Sequence, residues 1–266
     1  MIEVIFAVLL AMTAVMLAAW VFQRTVSNAG WTDVFWTFGT GATCALAALS
    51  PYRAGVGPSW RQIIVAALVA IWAVRLGSYI VTRVRRSAED ARYAQFRREW
   101  GDAFQKRVFG VIVVQAPASA LLAISVVFAA RNPVPGLRAA DLIGAALLVA
   151  AIAGEAVADG QMKRFKVSAA GHSDVCDTGL WAWSRHPNYF FEAMGWLAYP
   201  VIAVRIGDPW TWLSLIAPVL MFALLRFGTG VPPLEAAMIR SKGEAYRRYQ
   251  SRVSPMFPRP PKEKTS

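Results

Sequence analysis

Long apolar runs alternate along this chain with short polar segments rich in arginine and lysine. Seven runs are long enough, or nearly so, to cross about 30 Å of hydrocarbon as helices. They are Ile2–Phe22, Trp31–Leu49, Ile63–Val81, Val108–Ala129, Leu142–Ala158, Tyr189–Ile206 and Trp210–Phe227. No alternating ten-residue strand pattern recurs, so only helices are plausible spans. The pattern predicts an all-α integral membrane protein with seven transmembrane helices.

Composition agrees: 56% of the 266 residues are hydrophobic, eleven are tryptophan, and the mean hydropathy is +0.42. The first run carries Glu3 at its start rather than a basic region and lacks a small-residue cleavage site, which reads as a retained span. The net charge of +12 is informative through its distribution. About 22 of the 28 Lys and Arg fall around 23–30, 82–107 and 159–188 and in the tail from Arg226 onward. Positive charge marks the cytoplasmic side, so the N-terminus is expected outside and the C-terminus inside, with no nucleic-acid role for the charge. Two cysteines, Cys44 and Cys176, give neither a disulfide framework nor a C-x-x-C pair. His172 lies near Cys176, but two histidines in the whole chain make a metal site unexpected.

No linker or fixed-period repeat divides the sequence, which predicts one membrane domain. Ser87–Trp100 has the charge polarity of a short surface helix. In the tail, Pro232 and Pro233 set the start of one short helix, and a second is separated from it near Gly243.

The most informative segment is Gly179–Glu192, which places Arg185, His186, Asn188 and Glu192 at the mouth of a span. Polar side chains entering hydrocarbon are costly, so this cluster is a candidate site for a polar ligand. Arg75 interrupts the third run, Asp33 lies near the cytoplasmic end of the second, and Glu155 and Asp159 share a face at the end of the fifth. Asp159-Gly-Gln-Met-Lys-Arg-Phe-Lys166 offers a carboxylate and three cations, suited to ribose hydroxyls and phosphates. Neither G-x-G-x-x-G, P-loop nor G-x-S-x-G is present, so a nucleotide must be held by side chains from several helices.

Three motifs together resemble the steroid 5-alpha-reductase family of membrane enoyl reductases, particularly its short bacterial members. They are Asp159-x-Gln-x-x-x-Phe-Lys166, Gly179-Leu-Trp-x-x-Ser-Arg-His-Pro-Asn-Tyr-x-x-Glu192-x-x-x-Trp196, and Gly243-Glu-Ala-Tyr-x-x-Tyr-Gln250 with a closing Phe257-Pro258. The resemblance implies an oxidoreductase of a bacterial inner membrane, with its active site facing the cytoplasm. NADPH would be held by Asp159, Lys163, Lys166, Arg185, His186, Asn188, Tyr189, Glu192 and Arg226, with Arg75, Tyr79 and Arg83 from the third helix. Residues 1–140 would form the substrate side and 141–266 the cofactor half.

The implied reaction is hydride transfer to the β-carbon of a 3-oxo-Δ4 steroid or related enone lipid, with a hydrogen-bond donor stabilising the enolate. Asp33, protonated in an apolar pocket, is the expected donor with Tyr79, and Trp36, Trp72 and Trp196 the expected pocket walls. The chain departs from the eukaryotic pattern here: it has Asp33-Val-Phe-Trp36 where they place a glutamate, and Trp72 where they place a tyrosine. The wider superfamily sharing Arg-His-Pro-x-Tyr includes S-adenosylmethionine-dependent methyltransferases acting on isoprenylcysteine or phospholipid, which is the alternative expectation. A non-catalytic receptor or transporter is disfavoured, because the polar residues gather at one end of the spans rather than at their middle.

Overall fold

Helices form along most of the apolar runs, because backbone polar groups in hydrocarbon must be satisfied within their own segment. The computed structural model describes residues 1–51, 57–86, 89–168 and 175–262, and the regular elements among them are all helical. Ser87, Ala88 and His172 lie outside the described residues. In chain order the helices are α1 (Ile2–Val26), α2 (Trp31–Leu49), α3 (Trp60–Arg86), α4 (Ala91–Trp100), α5 (Phe104–Val113) and α6 (Gln115–Ala130). There follow α7 (Ala139–Val167), α8 (Pro187–Trp196), α9 (Ala198–Ala203), α10 (Ile216–Phe227), α11 (Val231–Lys242) and α12 (Glu244–Arg252).

Among the described residues five helical stretches are long and apolar enough to cross a membrane: Ile2–Val26, Trp60–Arg86, Arg92–Ala130, Ala139–Val167 and Pro209–Lys242. Two expected spans are not among them, for different reasons. The helix α2 occupies the expected Trp31–Leu49, but its four threonines, two glycines and Asp33 dilute its apolar character. The expected Tyr189–Ile206 is not one helix: α8 stops at Trp196, and α9 ends where Val204 turns extended. Pro200 lacks the N–H that would bond back to Trp196, which removes a rung at this junction. Pro117 has the same relation to Val113, where α5 gives way to α6.

Contacts divide the chain into two compact units, Met1–Ala146 with Leu197–Leu220 and Leu147–Trp196 with Met221–Ser266. In the first, α2 packs against α1, α3 and α6. Close approach of α2 and α3 requires glycine: a Cβ at Gly41 would sit 2.1 Å from the Ala73 Cβ, and one at Gly77 would sit 2.5 Å from the Phe38 ring. The Thr40 and Ser119 hydroxyls bond at 2.8 Å between α2 and α6. The helix α1 buries Val8, Met12, Met16, Ala19 and Gln23 and exposes Ile2, Phe6, Leu10, Leu17 and Val21. Both faces are apolar, as a lipid-facing helix requires.

One end of this unit is built around Arg61, which is 6% exposed and has all five N–H groups bonded. Nε and Nη2 donate to the two Asp141 carboxylate oxygens at 3.0 and 2.8 Å. The remaining donors reach the carbonyls of Asn132, Val134 and Gly136 at 2.8, 2.7 and 2.6 Å. The guanidinium thereby ties the α6–α7 connection to the start of α3. Replacing Asp141 with alanine leaves a buried cation without its carboxylate, an expected loss of about 3–5 kcal/mol. Thermal unfolding in detergent should show a large drop for Asp141→Ala, and a smaller one for Arg61→Met combined with Asp141→Leu. An unchanged midpoint for the single variant would refute this role.

Candidate functional site

In the second unit two glycines bring α8 close to α7. A Cβ at Gly154 would lie 2.4 Å from the Phe191 ring, and one at Gly195 would meet Leu148 and Ala151 at 3.1 and 3.3 Å. Pro187 begins α8 with its ring at the position where a missing N–H costs nothing. The result is a polar cluster at the first turn of α8. The Asn188 amide approaches the Asp159 carboxylate at 3.4 Å, and Asp159 and Glu155, one turn apart on α7, are both buried. One turn beyond Asn188, Glu192 is also buried and accepts from Trp196 Nε1 at 2.9 Å. Lys163 and Lys166 are exposed on the last turns of α7, on the same face as Asp159.

The segment leading into α8 is fixed from below. Gly179 has φ +60°, and a Cβ there would sit 2.7 Å from the Gln161 amide, so only glycine suits the position. Gln161 accepts from Leu180 N at 2.9 Å, and Trp181 donates its indole N–H to the Ala158 carbonyl at 3.0 Å.

Two motifs far apart in sequence prove to be one hydrogen-bonded assembly. Glu235 on α11 accepts from Arg185 Nε at 2.6 Å and Gln250 Nε2 at 2.8 Å, and faces His186 Nε2 at 3.2 Å. Arg185 Nη1 also donates to the Gln250 and Val253 carbonyls at 3.1 and 2.5 Å. Tyr249 donates to the Trp181 carbonyl at 2.5 Å, and Ser184 Oγ donates to the Met256 carbonyl at 2.7 Å. The chain after α12 thus straps across the start of α8. His186 is 2% exposed and stacks on Tyr189 with ring centroids 5.4 Å apart. Burial, and to a lesser degree the charges of Arg185 and Arg226, hold its pKa below the ordinary 6.5 against the opposing pull of Glu235.

Of the residues expected at a cofactor, Asp159, Asn188, Glu192 and the exposed Lys163 and Lys166 gather around the α7–α8 cluster. Arg185 and the Nε2 of His186 are instead bonded to Glu235 on α11, and Arg226 sits over the Phe227 ring at 5.1 Å. Glu235, Tyr249 and Gln250 were not among the candidate site residues: Tyr249 and Gln250 belong to the terminal motif, but their partners Trp181 and Arg185 lie 68 and 65 residues away, and Glu235 belongs to no motif.

In the first unit Arg75 lies 5.7 Å from the Tyr79 ring, and Tyr79 packs against the Val34, Ile80 and Val84 cluster. Trp36 and Trp72 meet edge to face at 6.3 Å. The surroundings of Asp33 differ from the apolar pocket that a protonated donor needs. Arg92 donates to it at 2.5 Å and Tyr93 at 3.2 Å, and Arg83 stands at 3.8 Å. Converging donors of this kind suit a carboxylate that accepts. Asp33 therefore fastens α4, whose N-terminus Asp90 caps by accepting from Arg92 N at 3.0 Å. Arg92 and Tyr93 carry no motif, so the sequence did not mark them. Among the described residues no group of three or more His, Cys, Asp or Glu could hold a metal ion.

Two outcomes are expected. The unfolded chain binds a proton at His186 near pH 6.5, whereas the folded chain resists protonation until lower pH. Stability should therefore fall as pH drops through 6.5 towards the folded value, and His186→Gln should flatten that slope; equal slopes would remove His186 as its source. Asp33→Asn should speed amide exchange in α4 while leaving α7 and α8 protected, and uniform protection in the variant would break the link between Asp33 and α4.

Over 88 residues the chain is 34% identical to uncharacterized protein C594.04c of Schizosaccharomyces pombe, a match covering 31% of this chain and 23% of that protein's length. No solved structure matches. A family model described as "Protein of unknown function (DUF1295)" matches residues 19–253, which takes in α2 through α12 and the three motifs apart from the closing Phe257-Pro258. On that match, the chain, with its helices long and apolar enough to cross a membrane, belongs to the DUF1295 family.

Proposed function

We propose that this protein is a membrane reductase that uses NADPH to saturate a carbon–carbon double bond conjugated to a ketone in a flat apolar lipid, a 3-oxo-Δ4 steroid being the type substrate. The motifs it shares with the steroid 5-alpha-reductase family suggest the reaction. The observation that carries the reading is the meeting of Asp159 and Asn188, with buried Glu192 one turn on. The donor set fits a phosphorylated dinucleotide: buried carboxylates and an amide suit ribose and carboxamide, and lysines at one-turn spacing suit phosphates. When bound, NADPH supplies the hydride.

In this reading Asn188 and Glu192 orient the carboxamide, Asp159 engages a ribose hydroxyl, and Lys163, Lys166 and Arg226 neutralise phosphate charge. Arg75, Tyr79 and Arg83 are further cofactor candidates by resemblance, and Trp36, Trp72 and Trp196 are candidate walls for the apolar substrate. Tyr79 is retained as the candidate donor to the developing enolate. Seven spans, a cytoplasmic C-terminus and residence in a bacterial inner membrane complete the proposal; cysteine-accessibility labelling on both sides of the membrane would test the topology.

NADPH at 100 times its Kd should stabilise the purified protein by about 2.7 kcal/mol. Glu192→Gln and Asn188→Ala should each weaken NADPH binding at least about ten-fold, equivalent to about 1.4 kcal/mol, without changing the ligand-free unfolding temperature. With progesterone, wild-type protein should consume NADPH and yield a product two mass units heavier. Full NADPH affinity in both variants would sink the site assignment, and protection by S-adenosylmethionine instead would move the protein to the methyltransferases.

A further inference from the structure

Glu235 belongs to none of the motifs that suggested a function, yet its carboxylate lies at the junction of three segments. It sits on α11, takes Arg185 and His186 from the turn before α8, and takes Gln250 from α12. Its contact with His186 is at Nε2, at 3.2 Å. A carboxylate accepts and does not donate, so this contact is a hydrogen bond only when Nε2 carries the imidazole proton. The other ring nitrogen, Nδ1, is then a bare lone pair. It is fully buried and has no hydrogen-bond partner, and Asn188 follows two residues later in the first turn of α8. A buried acceptor left unmet costs about 1–3 kcal/mol, so a donor arriving there recovers that cost.

We infer that Glu235 is a positioning residue: by bonding His186 Nε2–H it fixes the histidine tautomer and presents Nδ1 as an acceptor for an N–H or O–H group of the bound ligand. The inference rests on the cofactor reading for the ligand's identity, and on the geometry alone for the tautomer. Arg185, Arg226 and Glu235 are the charged groups acting on the imidazole, and burial with the two arginines outweighs Glu235 to keep it neutral. The stacked Tyr189 ring limits its rotation.

Nitrogen-15 NMR of the full-length protein in detergent, labelled at histidine, reads this state directly. The chain holds two histidines, and His186→Gln identifies the signals of His186. Expected in the wild type are a protonated Nε2 and an unprotonated Nδ1, with the Nδ1 resonance moving upfield when NADPH binds. Glu235→Gln should give a mixture of tautomers and about a ten-fold weaker Kd for NADPH. A protonated Nδ1 in the wild type would overturn the inference, and this spectrum decides even if the variant fails to fold. NADPH binding with no change at Nδ1, or a folded Glu235→Gln with unchanged tautomer and Kd, would overturn it while leaving the cofactor reading standing. No NADPH binding by the wild type would overturn that reading, and the ligand assignment with it.

Discussion

Charged groups taken out of water must be saturated, and the organisation of both units follows from how this is done. In the first unit Arg61 spends every donor on one carboxylate and three carbonyls. In the second, Glu235 collects Arg185, Gln250 and His186 around one carboxylate. Neither arrangement adds much net stability over an apolar equivalent, since desolvation offsets most of the attraction. What each does is join segments distant in sequence with a geometry that tolerates few alternatives.

The second constraint is close helix approach. Without a hydrophobic force to drive helices together inside lipid, contact depends on small residues that let backbones and rings interlock. Gly41 and Gly77 do this between α2 and α3, and Gly154 and Gly195 between α7 and α8. The latter pair lies beside the candidate site: the approach of Phe191 to Gly154 and the meeting of Asn188 with Asp159 join the same two helices. A larger residue at Gly154 would push the two polar groups apart without touching either.

Polar residues near the candidate site therefore divide by task. Asp159, Asn188 and Glu192 cluster on two packed helices, while Ser184 and Arg185 hold the chain that straps across the start of α8. His186 stands at the boundary, one nitrogen turned to Glu235 and the other unmet. Asp33 illustrates the same division in the first unit: its position suggested chemistry, and its partners Arg92 and Tyr93 make it the fastening of α4.

Local and composition-driven properties were legible in the sequence. Apolar runs determined where helices form, Pro232, Pro233 and Gly243 determined the bounds of the two tail helices, and the spacing of Asn188 and Glu192 placed them on one face. These follow from backbone hydrogen bonding and helical periodicity, which act over a few residues. Tertiary structure alone decided the interruption between α8 and α9, the pairing of Asp33 with α4, and the bonding of Arg185 and His186 to Glu235 some 50 residues later. A buried charge takes whichever partner packing brings within reach, and that choice leaves no periodicity in the chain to read.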